Sequence, residues 1–266
     1  MNFCDPSGNA LRASLNTSMN KILLITGASR GIGAASARLA AQRGYAVCVN
    51  YLSNRSAADA VVEDITRAGV RAVAIQADVS VEEDVISLYK AVDRSLGPVT
   101  ALVNNVGIVE RQIRVENMDA ARVNRVFAVN VTASILCARE AIRRMSTKYG
   151  GQGGAIVNVS SVAAKLGSPN EYVDYAAAKA AIDTFTIGLA KEVAEEGIRV
   201  NAVRPGVVYT DIHASGGEPN RVERVKESVP MKRGGVPDEI ARAILWLLSD
   251  EASYVTGTLL DVTGGR

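Results

Sequence analysis

Histidine is almost missing from this chain: His213 is the only one in 266 residues. That excludes a multi-histidine metal centre, and any Ser-His-Asp or Cys-His machinery built on another histidine. Cysteine is scarce as well. Cys4, Cys48 and Cys137 are odd in number and far apart. This argues against a disulfide framework or a CxxC metal site and fits a reducing, cytoplasmic location. No apolar run approaches the roughly 18 residues of a membrane span. The first 20 residues hold one arginine and no apolar h-region, so neither a membrane partner nor a secretory signal is expected. Excess charge is lacking too. Lys and Arg number 30 against 28 Asp and Glu, a net +2, too balanced for a nucleic-acid binder recognised by charge.

What is present alternates. Residues 1–18 are polar, small and aperiodic and read as a disordered tail; Met19 offers an alternative start. From 19 to 266 the chain reads as one domain, with no Pro/Ser-rich linker and no repeats. Short apolar runs at 21–26, 45–50, 70–75, 99–103, 155–159, 198–203 and 259–262 read as strands. Helical stretches lie between them, at 32–43, 57–68, 81–96, 119–148, 172–194 and 237–248. Continuous apolar strands alternating with helices imply a doubly wound parallel sheet, an α/β Rossmann-type fold of seven strands covered on both faces. Thr210–Gly235 is polar, Gly-rich and weakly helical, and it follows a strand end, where open α/β sheets bind ligands.

Thr26-Gly27-Ala28-Ser29-Arg30-Gly31-Ile32-Gly33 joins the first strand to the first helix. Gly27 allows a tight turn. Gly31 lets the backbone approach a pyrophosphate at the helix N-terminus, where free N–H groups and the dipole favour anions. Gly33 permits close helix–strand packing. The spacing G-x3-G-x-G differs from the common dinucleotide fingerprint, but its place after the first strand points to a cofactor turn. An NAD site usually carries a carboxylate at the end of the second strand. Here that end reads Asn50-Tyr51-Leu52-Ser53-Asn54-Arg55, with no acid before Asp59. Arg30 and Arg55 offer partners for a 2′-phosphate, so NADP(H) is expected rather than NAD(H).

Tyr175 and Lys179 stand at i and i+4, on one helical face. A lysine ammonium ~4 Å away, at an effective dielectric of ~20, stabilises a phenolate by at most roughly 4 kcal/mol, about 3 pKa units. That brings a tyrosine into the range of acid–base catalysis. The strand Ile156–Val159 ends in Ser160 and Ser161, which the architecture carries to the same cleft.

These motifs in this order resemble the short-chain dehydrogenase/reductase family over residues 21–266. The glycine turn matches its TGxxxGxG motif. The family's adenine-contacting acid resembles Asp78-Val79, and its NNAG motif appears as Asn104-Asn105-Val106-Gly107, with Val for the usual Ala. Asn130 matches its structural and catalytic Asn, and Tyr175 and Lys179 its YxxxK. Pro205-Gly206, Val208 and Thr210 match a cofactor-contacting segment. Many members carry the catalytic Ser 13 residues before the Tyr; here that position is Val162, and Ser161 lies 14 before. Ser161 takes the role, with one inserted residue in the loop 167–174. Ser160 is the fallback, its side chain expected on the other strand face.

The resemblance implies hydride transfer between nicotinamide and a carbonyl or carbinol carbon. Ser161 would polarise the substrate oxygen and Tyr175 would exchange the proton. Lys179 would depress the tyrosine pKa and bind the nicotinamide ribose, and Asn130 would hold a relaying water. The resemblance also implies a homotetramer, with the helices from Asp119 and Tyr172 as candidate faces. The partner is a small alcohol or carbonyl substrate, framed by Thr210–Gly235 and by Glu110–Asn117, the latter assigned to the exit of strand five. Pro169-Asn170-Glu171-Tyr172 is more polar than a steroid or lipid pocket favours and fits a sugar, a polyol or another small polar substrate. His213 reads as a solvated loop residue. The competing readings are a catalytically silent NADP-binding sensor, disfavoured by the intact Ser-Tyr-Lys-Asn set, and an epimerase, which usually carries a larger C-terminal domain.

Overall fold

The computed structural model describes residues 21–266; the expected tail, 1–18, and Cys4 lie outside them. Seven apolar segments form β1 (Ile22–Ile25), β2 (Ala46–Tyr51), β3 (Ala72–Gln76), β4 (Ala101–Asn104), β5 (Gly154–Val159), β6 (Ile198–Pro205) and β7 (Leu259–Val262). They pair in the order β3-β2-β1-β4-β5-β6-β7, every pair parallel. Successive side chains point to opposite faces, so a strand buried on both sides must be apolar throughout. Leu23, Ile25, Val47 and Val49 enter one core, while Ile22, Leu24, Ala46 and Cys48 enter the other.

The helices that cover these faces are α1 (Gly31–Gln42), α2 (Arg55–Arg67), α3 (Glu82–Ser95), α4 (Ala120–Phe127), α5 (Ala133–Met145), α6 (Ala163–Leu166), α7 (Val173–Val193), α8 (Ile212–Ser215), α9 (Arg221–Val225) and α10 (Pro237–Leu248). Ala37 and Ala40 of α1, Val61 and Ile65 of α2, and Ile240 and Ile244 of α10 close the first core. Leu88 and Val92 of α3, Cys137 and Ala141 of α5, and Leu189 and Val193 of α7 close the second. Cys48 and Cys137 are free, buried core residues. Local signals start the helices. The Asn54 side chain accepts from Ala57 N at 3.0 Å, and Asp119 accepts from Arg122 N at 2.8 Å, each satisfying a donor that a helix N-terminus leaves orphaned. Pro237 opens α10, where a missing N–H costs nothing.

Two sequence readings need correction. The expected continuous helix 119–148 is α4, a π-helical turn (Ala128–Thr132), α5, and a 3₁₀ turn (Thr147–Tyr149). The extra residue of a π turn rotates the chain locally, a device frequent at functional sites, and this one carries Asn130. The loop Glu110–Asn117 leaves β4, not strand five. Thr210–Gly235 is weakly helical, as expected, and holds only the short α8 and α9.

The crossover direction reverses between β1 and β4, because β1 lies between β2 and β4. Open parallel sheets bind ligands at such a switch point, beyond the carboxyl ends of the strands. A cavity of about 850 Å³ lies there, lined by the residues that follow β1, β2, β4, β5 and β6. No described helix is long and apolar enough to cross a membrane.

Candidate active site

One end of the cavity is built on the glycine turn. Gly27 and Gly31 have φ of +61° and +54°, left-handed values that a side chain disfavours. A Cβ on Gly33 would lie 2.6 Å from Asn105 Nδ2 and 2.7 Å from the Gly27 carbonyl, so only glycine brings α1 this close. Buried amides and a hydroxyl staple the turn. Asn105 Nδ2 donates to the Thr26 and Gly27 carbonyls at 2.9 and 3.0 Å, and Thr26 Oγ1 accepts from the Asn105 and Val106 N–H groups. The first turn of α1 has no side-chain cap and no acid. Ser29, Arg30, Gly31 and Ile32 line the cavity there. An uncapped twelve-residue helix with a glycine approach has the chemistry of a phosphate site, and a dinucleotide fits it.

The selectivity residues divide. Arg30 lines the cavity, is exposed, and makes no ion pair among the described residues. Tyr51, Leu52, Ser53 and Asn54 line it beside Arg30, with no carboxylate in that run. Asn50 does not line it. Its side chain is 1% exposed: Oδ1 accepts from Gly27 N at 3.2 Å, and Nδ2 donates to the Ile75 and Ala77 carbonyls. Asn50 is therefore a staple beneath the turn and not a ribose contact. Arg55 is also outside the lining; it is exposed and paired with Asp59 at 3.3 Å, one helical turn on. Asp78 and Val79 lie outside the lining as well, with Asp78 Oδ1 accepting from Ser80 N and Oγ.

The acid–base residues meet further along. Ser161, Tyr175 and Lys179 line the cavity together with Gly107. The Ser161 hydroxyl accepts from Ala163 N at 3.1 Å and shares the cavity wall with Tyr175. Ser160 is 2% exposed, and its hydroxyl donates to the Lys179 carbonyl at 3.1 Å. The two serines thus point apart, as alternation along a strand requires. Lys179 Nζ donates to the Val159 carbonyl at 2.8 Å and lies 5.6 Å from the Tyr175 ring centroid. Asn130 is fully buried. Its Nδ2 donates to the Ile108 and Val126 carbonyls, and its Oδ1 accepts from Ile108 N. A Cβ on Gly107 would come within 2.9 Å of Asn130 Oδ1 and 3.3 Å of Lys179 Nζ. Asn130 therefore fixes the main chain beside Lys179. Next to Tyr175, Asp174 accepts from Arg122 Nε at 2.7 Å in a buried ion pair, and Arg122 also donates to the Arg111 carbonyl at 2.6 Å. This joins α4, α7 and the loop after β4.

Burial dominates the charge states. It pushes the Tyr175 hydroxyl up to about 12, against the Ser161 hydroxyl and the positive charge of Arg221. It pushes Lys179 down to about 8, with Asp183 opposing. The Lys179 ammonium is held by the Val159 carbonyl, and low-dielectric surroundings penalise phenolate and ammonium alike.

The far end of the cavity is ionic. Arg221 of α9 lines it together with Glu171, Tyr172 and His213. Arg221 donates to Glu171 at 2.5 Å and to Glu218 at 3.1 Å, and its guanidinium sits 4.9 Å from the Tyr172 ring centroid. Arg224 pairs with the same two carboxylates, and Gln112 donates to Glu218 at 2.5 Å. Burial opposes the ionised form of Glu171, but hydrogen bonds from Arg221 and Arg224 hold it below the usual carboxylate range. His213 is half-buried, not solvated. Its Nε2 faces the Val208 carbonyl at 3.1 Å, and burial lowers its pKa.

The family profile described as enoyl-(acyl carrier protein) reductase matches residues 27–266. The chain is 60% identical over 245 residues to the uncharacterized oxidoreductase YgfF of Escherichia coli K12, covering 92% of this chain and 99% of that one. It is 40% identical to a 3beta-hydroxysteroid dehydrogenase 1 of Eggerthella lenta, over 92% of this chain and 93% of that one. It is 36% identical to the 3-oxoacyl-[acyl-carrier-protein] reductase FabG of Staphylococcus epidermidis, over 93% and 99%. The chain belongs to the short-chain dehydrogenase/reductase family. Its activity class is NAD(P)-dependent oxidoreduction between CH–OH and carbonyl groups.

In this dehydrogenase/reductase the cavity also takes in Pro205, Gly206, Val208 and Thr210, which the motif after β6 marked. Sequence reasoning missed Arg221 and underrated His213. The available signal was their place in the polar segment after β6; nothing in the local sequence separates Arg221 from the other arginines there.

Proposed function

We propose that the chain is an NADP(H)-dependent reductase and dehydrogenase of small polar carbonyl and alcohol substrates. The observation that carries the chemistry is the meeting of Ser161, Tyr175 and Lys179 on one cavity wall. When bound, the dinucleotide supplies or accepts the hydride. Ser161 holds the substrate oxygen against Tyr175. Tyr175, protonated at neutral pH because it is buried, gives its proton to the oxygen as the carbonyl is reduced and takes it back in the reverse reaction. Lys179 lies beside it to hold the ribose and restore the proton. Asn130 keeps Gly107 and Ile108 in place against Lys179.

NADP(H) selectivity rests on Arg30 and on the carboxylate-free run Tyr51–Asn54, while Asn50 is buried beneath the turn and Arg55 is paired with Asp59. A charge-assisted contact from Arg30 to a 2′-phosphate contributes roughly 1.5–3 kcal/mol, a factor of about 10 to 100. Fluorescence titration is expected to show NADPH bound tighter than NADH by that order, and Arg30→Ala to erase the gap. Equal binding by the wild type would refute the preference; NADPH oxidation against a panel of ketones, aldehydes and sugars tests the reaction. The protein is further proposed to assemble as a homotetramer, with exposed Ile135 of α5 and Ile187 of α7 on the candidate faces. Light scattering that returns a mass near the 28.0 kDa of one chain would contradict assembly.

A further inference from the structure

The ionic end of the cavity supplies neither hydride nor proton, and it places a charged group in the cavity wall whose field reaches Tyr175. Arg221 is 13% exposed at its side chain, and two carboxylates and the Tyr172 ring immobilise it. Its bonds to Glu171 and Glu218 use one N–H of each terminal nitrogen. A guanidinium carries five such donors, so three are not spent on these carboxylates. Tyr172 begins the turn that leads to Tyr175, and both tyrosines line the same cavity as Arg221. A substrate held at Ser161 and Tyr175 therefore extends toward a donor-rich, preorganised group.

Charge decides the class of ligand. Arg221 and Arg224 balance Glu171 and Glu218, and burial lowers the pKa of His213, favouring its neutral form. A substrate carboxylate would meet Glu171 and Glu218 as well as the guanidinium, whereas a neutral oxygen takes an N–H without that repulsion. We infer that Arg221 is a substrate-binding residue that donates to a second, neutral oxygen of the substrate, a hydroxyl or carbonyl remote from the reacting carbon. This rests on the oxidoreductase reading above and deepens it: the preferred substrates are hydroxyketones, polyols and sugars, not monofunctional ketones or oxoacids.

The test uses matched pairs, 3-hydroxybutan-2-one against butan-2-one and 2-hydroxycyclohexanone against cyclohexanone, with 2-oxobutanoate as the anionic arm. The quantity read is the kcat/KM ratio within a pair, compared between wild type and variant, so that intrinsic carbonyl reactivity cancels. Arg221→Met is expected to lower that ratio by about 10- to 100-fold, with butan-2-one turnover much less affected. Arg224→Met breaks ion pairs to the same carboxylates from a residue outside the cavity lining and is expected to keep the ratio within about threefold. Equal loss of the ratio in both variants would mean that Arg221 serves only to tie the loops together. An unchanged ratio in Arg221→Met, or a preference for 2-oxobutanoate over the hydroxyketones, would overturn the inference while leaving the oxidoreductase reading intact. Absence of NADPH-dependent turnover of every ketone by the wild type would overturn that reading, and this one with it.

Discussion

At the dinucleotide end of the cavity the walls are main chain stapled by buried and half-buried side chains; at the substrate end they are ion pairs between the loop at Glu171 and the segment 218–224. Asn50 and Asn105 are spent on backbone groups of the first turn, and Thr26 on the N–H groups that follow β4. Glu171, Glu218, Arg221 and Arg224 are spent on one another. Buried amides bonded to carbonyls are lost at a high cost and are insensitive to salt. Ion pairs near a surface are screened and individually weak. The first construction suits a ligand whose phosphates do not vary, the second a wall whose charged groups hold one another in position. Tyr175 stands between the two ends and is the sharpest place to break the comparison.

Tyr175→Phe removes the proton donor and leaves both walls intact. Turnover is expected to fall by at least ~100-fold while NADPH binding stays within about tenfold; retained turnover would sink the assignment. In the wild type, burial keeps the hydroxyl protonated far above neutrality, up to about 12. The donor form is therefore present throughout the neutral range, and alcohol oxidation, which needs the deprotonated form, is expected to rise with pH from about 7 to 10. Initial rates in both directions across that range check the sign.

Gly33→Ala attacks the dinucleotide wall. The new methyl group would meet Asn105 Nδ2 and the Gly27 carbonyl at 2.6 and 2.7 Å, so the staple or the turn must shift. Overpacking of this kind costs about 1–3 kcal/mol, and NADPH affinity is expected to fall with it. Thermal melting and titration read the two effects separately.

Asn50→Asp tests the same wall from beneath. Aspartate retains an acceptor for Gly27 N, but it sets a carboxylate against the Ile75 and Ala77 carbonyls that Asn50 Nδ2 now satisfies. The expected outcome is a loss of stability of about 3 kcal/mol or more, read by chemical denaturation, and not a switch toward NADH. A stable variant with reversed cofactor preference would restore Asn50 to the ribose.

Tyr172→Phe is the mildest change and probes the substrate wall. The Tyr172 hydroxyl is buried and finds no hydrogen-bond partner among the described residues, while its ring stacks under Arg221. Phenylalanine keeps the stack and removes an unsatisfied group, so the melting temperature is expected to stay level or rise, by up to about 1 kcal/mol of stability. A marked loss would show that the hydroxyl bonds in solution.

The sequence by itself determined the parallel sheet, because apolar runs separated by helical periods have few other ways to bury both strand faces. It determined the glycine turn and the Tyr175–Lys179 pair, because their residue types and spacings are local. It also set the side chains of Ser160 and Ser161 on opposite faces, through the alternation of a strand. Only the tertiary structure decided which polar residues face the cavity. Asn50 and Arg30 were equally plausible selectivity residues as letters, yet Asn50 turns inward to meet buried carbonyls and Arg30 faces the cavity. The π turn at Asn130 is likewise invisible to a 3.6-residue period, since one extra residue leaves the flanking pattern helical. Arg221 joins Tyr172 and Glu171 across fifty residues of chain. Its place depends on how the segment after β6 folds back over α7, a packing of loops that no local propensity encodes.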